Sequence, residues 1–206
     1  MPDNTVIGNI NTIETAAGTA IKSSNSPFAE SFYFEDYYDE KAVKRFIKIV
    51  EKLIRTSREY STYIELVRTN IGVLNHDNLL HNITTADVDL EFHHYPFSLY
   101  DIIEIVMTQH IIKKEKFTSF SIAKEVMKLH YQHMIGLVPV TKTTHELIHS
   151  GNLFISSKQI FGDYKSFMKE YSNGISYELG NKVVKMEELS EKGIPSDFKG
   201  LLDAWF

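Results

Sequence analysis

The chain has 206 residues, of which 43% are hydrophobic and 24% are charged, and its formal net charge is -5 at pH 7. This composition is typical of a soluble globular protein, and the sequence shows neither an apolar run long enough for a transmembrane helix nor a signal peptide. The absence of cysteine excludes disulfides and thiolate metal sites, and the acidic balance argues against extended electrostatic wrapping of nucleic acid.

The N-terminal part differs in composition from the rest of the chain. Residues 1–27 are rich in Asn, Thr, Ser, Ala and Gly, which predicts a flexible arm, or an arm that becomes ordered on a partner subunit. Residues 28–38 are rich in aromatic side chains interleaved with acids, which favours packing onto the domain or onto a partner. Residues 28–206 are then predicted to form a single, mostly helical α+β domain.

A basic amphipathic helix is predicted to begin at Asp39 or Glu40 and to end near Arg58. Its apolar residues recur at the spacing of one helix face, and the opposite face is basic. That face is either solvated or contacts phosphates. Its members are Lys41, Lys44, Arg45, Lys48, Lys52 and Arg55, and Lys44, Arg45, Lys48 and Lys52 are the candidate nucleic-acid contacts. A further helix is expected from Tyr60 to Ile71.

Two histidine pairs stand out further along the chain. Alternation over residues 87–93 predicts a half-buried strand that carries His93 and His94 and stops at Pro96. After a predicted pair of helices, residues 137–140 favour a second short strand, and Thr143 or Thr144 would cap a helix carrying His145 and His149. Because these two histidines are four residues apart, both imidazoles would lie on one helix face.

The C-terminal part is predicted to contain several short elements. We expect a strand at residues 154–155, a helix over 163–171, a hairpin over 175–184 turning at Gly180-Asn181, and a last helix from Pro195.

One interpretation uses the second histidine pair alone. His145-Glu146-x-x-His149 matches the zinc-protease pattern, in which two histidines bind zinc and the glutamate activates water. Glu170 could then be a third ligand. The pattern lies at a helix start and leaves His93 and His94 without a role.

The two clusters together resemble the HNH, or His-Me finger, nuclease family, in a divergent phage-type form. The resemblance covers residues 88–151: a strand ending in His-His, the Gly136-Leu-Val-Pro-Val stretch, and a helix with Thr-His-x-x-x-His. It implies a ββα-metal unit that hydrolyses DNA phosphodiesters, with His94 as general base, His93 and His145 as metal ligands, and His149 as a possible third ligand. Gly136 instead of Asn, the missing cysteine pairs and the long helical insert depart from the family pattern.

These departures leave as the alternative a structural or virion-type assembly protein with a degenerate HNH-like fold, in which a metal site, if there is one, only stabilises the fold. A shell of imidazoles favours a divalent ion such as Zn, Mn or Ni, with Mg less suited. The expected partners are DNA, no membrane, and a homo-oligomer or larger assembly formed through the arm and the aromatic patch. The expected location is the host cytoplasm, or the virion if the chain is of phage origin.

Overall fold

The fold is α+β and mostly helical, as predicted. The computed structural model describes residues 31–32, 37–70, 76–79, 83–150 and 153–192. The helices are α1 (Glu40–Arg55), α2 (Arg58–Asn70), α3 (Leu99–Ile112), α4 (Ser119–Tyr131), α5 (Lys142–His149), α6 (Tyr164–Glu170) and α7 (Tyr177–Glu191). The strands are β1 (Ser31–Phe32), β2 (Glu91–His94), β3 (Phe117–Thr118) and β4 (Leu137–Val140), paired antiparallel as β1–β3 and β2–β4.

The centre of the core is α3, which is apolar on nearly every face. Its buried side chains include Ile102, Ile103, Ile105, Val106 and Met107, and it packs against α1, α4 and the turn Ser172–Gly174. Ser98 and Asp101 form a reciprocal capping box at its start, which fixes where the helix begins. A helix that is hydrophobic all round is stable only when other elements surround it.

The amphipathic prediction for α1 is confirmed. The Asp39 side chain caps the helix by accepting a hydrogen bond from the Lys41 backbone N–H at 2.9 Å. Val43, Phe46, Ile47, Val50 and Ile54 are buried, so the basic residues between them face outward. The helix ends at Arg55, and α2 follows after a two-residue break.

Strands β2 and β4 form a short antiparallel pair, although α3, β3 and α4 lie between them in sequence. His93 pairs with Val138 and His94 with Leu137. The pair continues where Tyr95 N–H donates to Gly136 O at 3.1 Å. A Cβ atom at position 136 would lie 2.0 Å from Tyr95 O, so this close approach requires glycine.

The N-cap of α5 is Thr141, two or three residues before the predicted Thr143 or Thr144. Its Oγ1 accepts the Thr144 N–H at 3.2 Å. The buried carboxylate of Asp77 strengthens this cap, because its Oδ2 accepts the Thr141 N–H at 2.7 Å and the Thr144 hydroxyl at 2.8 Å. A distant turn residue therefore fixes the start of the helix.

The hairpin predicted over residues 175–184 is wrong. Ser176 caps α7, and Val183 and Met186 are buried three residues apart, so helical packing overrides the turn tendency of Gly180-Asn181. The strand predicted at residues 154–155 is absent from this described segment, and β2 begins at Glu91 rather than at Asp87.

Several predictions fall on residues that the structure does not describe. The arm over residues 1–27, most of the aromatic segment and the helix from Pro195 all lie outside the described ranges. Among the described helices, none is long and apolar enough to cross a membrane.

Candidate metal centre

Three histidines from β2 and α5 lie together at the surface of the β2–β4 unit. His93, His145 and His149 each offer a ring nitrogen, and these nitrogens all lie within 4.8 Å of one another. The ring centroids are 4.8 Å apart for His93 and His145, 5.0 Å for His93 and His149, and 4.6 Å for His145 and His149. This is the only such group of three potential ligands among the described residues.

Local structure explains why these three side chains meet. His145 and His149 are four residues apart on α5 and share one helix face. The antiparallel register holds His93 next to β4, which leads directly into α5. His93 is buried while His149 is exposed, so the centre opens to solvent on the helix side.

A carboxylate orients one of the three rings. His145 Nδ1 donates to Glu91 Oε2 at 2.5 Å, and His145 Nε2 lies 3.0 Å from His149 Nε2. Because the carboxylate only accepts hydrogen bonds, the Nδ1 of His145 carries its proton. In the neutral imidazole, the Nε2 lone pair therefore points into the centre.

The electrostatics of His93 favour its neutral form. Burial, followed by the nearby His145, His149 and Lys182, lowers the pKa of His93 to about 4. A neutral imidazole has a free lone pair at neutral pH, which is the form that binds a metal ion.

His94 belongs to a different, buried pair. Its Nε2 lies 3.0 Å from His130 Nε2, and His130 Nδ1 donates to Val126 O at 2.7 Å. Neutral His130 therefore accepts a hydrogen bond from His94 Nε2–H. The Tyr60 ring stacks on the His94 ring, with the ring centroids 6.2 Å apart. Burial lowers the pKa of His94 well below its usual range and that of His130 to about 4.

The remaining predicted site residues lie elsewhere. The candidate nucleic-acid contacts Lys44, Arg45, Lys48 and Lys52 are exposed on α1, and Lys44 Nζ is 3.4 Å from Glu40 Oε2. Glu146 is exposed on α5, and Glu170 ends α6 outside the histidine group. His93 thus takes the third position that the protease interpretation assigned to Glu170.

Two residues at this centre escaped prediction from the sequence. Glu91 stands two positions before His93 on a strand, so the two share a strand face, and this spacing was an available signal. Asp77 gave no such signal, because its buried position depends on the tertiary docking of residues 76–79.

Comparison with known proteins identifies the family. The chain matches the model of the Bacteriophage G278-like virion protein family over residues 2–202. The chain belongs to this family. No curated protein and no solved structure matches this virion protein.

Membership of the virion protein family corrects the HNH nuclease resemblance, which was wrong. The matched family is a virion family rather than a nuclease family, so the nuclease, hydrolase and DNA-binding interpretations no longer stand, whereas the phage origin fits. The structure also gives a physical reason against His94 as a general base for water. Its side chain is buried, and its Nε2 is in a hydrogen bond with His130. The virion alternative is the better supported of the two readings.

Proposed function

We propose that this virion protein is a structural component of the phage particle, and that His93, His145 and His149 bind a divalent transition metal that fastens α5 to β2. The observation that carries the proposal is the convergence of three ring nitrogens within 4.8 Å. A zinc–nitrogen bond is about 2.0–2.1 Å, so the three nitrogens would have to move closer together to share one ion.

The metal would act as a clamp between segments that are distant in sequence. His93 precedes the helices α3 and α4 and His145 follows them, so the ion would link two segments that the chain connects only through this insert. Helix α5 has only eight residues, so it gains little stability from its own hydrogen bonds. Imidazole ligands suit Zn, Ni or Co better than Mg.

Thermal denaturation tests the clamp. We expect Zn²⁺ to raise the melting temperature of the metal-free protein by mass action, with a stabilisation of about 2.7 kcal/mol when the free ion is at ~100 times its Kd. His145→Ala removes one ligand, so the shift should be lost.

His133→Asn is the matched control for this experiment. His133 is exposed and has a φ of 55°, a left-handed conformation that asparagine tolerates, and it lies outside the histidine group. This variant should keep the full shift. An equal shift in His145→Ala would contradict the clamp.

A further inference from the structure

We infer that Glu91 is the positioning residue of the metal centre: its carboxylate fixes the ring of His145 so that Nε2 is presented to the ion. This inference rests on the proposed clamp and deepens it. Glu91 Oε2 accepts from His145 Nδ1 at 2.5 Å, and Glu91 lies outside the group of three ligands. Glu91 thus holds a ligand without being one.

The geometry assigns a separate task to each ring nitrogen of His145. Nδ1 donates to Glu91, and Nε2 lies 3.0 Å from His149 Nε2 inside the centre. When the ring nitrogen that does not bind the metal donates a hydrogen bond to a carboxylate, that bond sets the tautomer and orientation of the histidine and raises the basicity of the metal-binding nitrogen. His149 has no carboxylate contact among the described hydrogen bonds and ion pairs, so Glu91 orients only one of the two helical ligands.

The same contact predicts what happens when the ion enters. In the tautomer with the proton on Nδ1, His145 Nε2 has only a lone pair, so His149 Nε2 is the donor of the contact between the two rings. Coordination through His149 Nε2 then requires its proton to move to Nδ1, whereas His145 keeps its tautomer. Glu91 would therefore hold His145 in the tautomer that binds the ion, whereas His149 would change tautomer if it binds through Nε2.

The test measures metal affinity and histidine tautomers in the full chain. Co²⁺ and Zn²⁺ titrations should show that Glu91→Ala binds about 10–100 times more weakly than wild type, the usual loss when such a supporting contact is removed. Glu91→Gln keeps an acceptor oxygen but loses the charge, so its affinity should lie between the two. Nitrogen NMR of metal-free wild type should show His145 protonated at Nδ1, and Glu91→Ala should lose that preference.

Asp89→Asn is the charge-matched control. Asp89 is exposed, lies two residues before Glu91 and is outside the histidine group found among the described residues, so the loss of its charge should leave affinity unchanged. If wild type binds the ion and Glu91→Ala binds it equally well, the role of Glu91 is overturned while the clamp stands. If wild type binds neither ion, the clamp itself is overturned.

Discussion

His110, at the end of α3, contacts two carboxylates. Its Nε2 donates to Glu125 Oε2 at 2.7 Å, and its Nδ1 lies 2.6 Å from Glu115 Oε2. The hydrogen bond to Glu125 raises the pKa of His110 against the opposing effect of burial, and the charges of both glutamates add to the increase. The imidazolium is therefore more favoured in the folded protein than in the unfolded chain.

The pKa of His110 predicts how stability depends on pH. A raised pKa stabilises the fold fully below the unfolded value of about 6.5, and this contribution is lost as pH rises through the higher folded pKa. His110→Gln should therefore cost ~1.5–3 kcal/mol at about pH 6, the contribution of a hydrogen bond to a charged group, and less at about pH 9. Urea denaturation of both proteins at each pH measures the difference.

A constant difference between wild type and His110→Gln across this range would show that the charge of His110 contributes nothing.

Among the elements, α5 depends most on contacts outside itself. It has eight residues, and its only buried residue is Thr144. The buried Asp77 carboxylate accepts from Thr141 N–H and Thr144 Oγ1, and its other oxygen accepts from Leu79 N–H at 2.8 Å. One carboxylate therefore ties the start of α5 to the segment 76–79.

Asp77→Asn should destabilise the protein and weaken metal binding together. The asparagine NH₂ group cannot accept, so at least one buried donor loses its partner, at a cost of about 1–3 kcal/mol. Because α5 carries two of the three proposed ligands, its loosening should also lower the affinity for Zn²⁺. Denaturation and metal titration of the same variant measure both effects.

Asp87→Asn is the control for this substitution. Asp87 also accepts from a backbone N–H and a hydroxyl, both of Thr84 at 2.9 Å, but it is exposed and water can replace those bonds. It should cost less and leave metal affinity unchanged. A loss in Asp77→Asn no larger than in Asp87→Asn would contradict the anchoring role.

For the whole molecule, the family match spans residues 2–202, so the virion assignment does not rest on one motif. We expect the chain to be present in purified phage particles and to remain there after nuclease treatment and salt washing. Mass spectrometry of gradient-purified particles measures this, with an abundant host cytoplasmic protein as the marker of contamination. Recovery of the chain only in the soluble lysate would contradict a structural place in the particle.

The features that depend on local periodicity could be predicted from the sequence. The spacing of apolar residues predicted α1, and the alternation before His93 together with Leu137–Val140 predicted the two strands. The i,i+4 spacing also placed His145 and His149 on one helix face. Side chains return to the same face every few residues in a helix and every second residue in a strand, so a short stretch of sequence is enough to predict these features.

Which of these faces meet depends on contacts between segments that are distant in sequence. His93 and His94 are adjacent in a strand, so their side chains point to opposite faces. His93 lies beside His145 and His149, whereas His94 pairs with His130. In the sequence Asp77 has the features of an ordinary turn residue, but in the fold its carboxylate accepts a hydrogen bond from the start of α5. Gly180-Asn181 is typical of a turn, but the burial of Val183 and Met186 favours the helix α7 instead. Burial and hydrogen bonding between distant segments outweigh local propensities of a few tenths of a kcal/mol to ~1 kcal/mol, and those distant contacts are set by the fold as a whole.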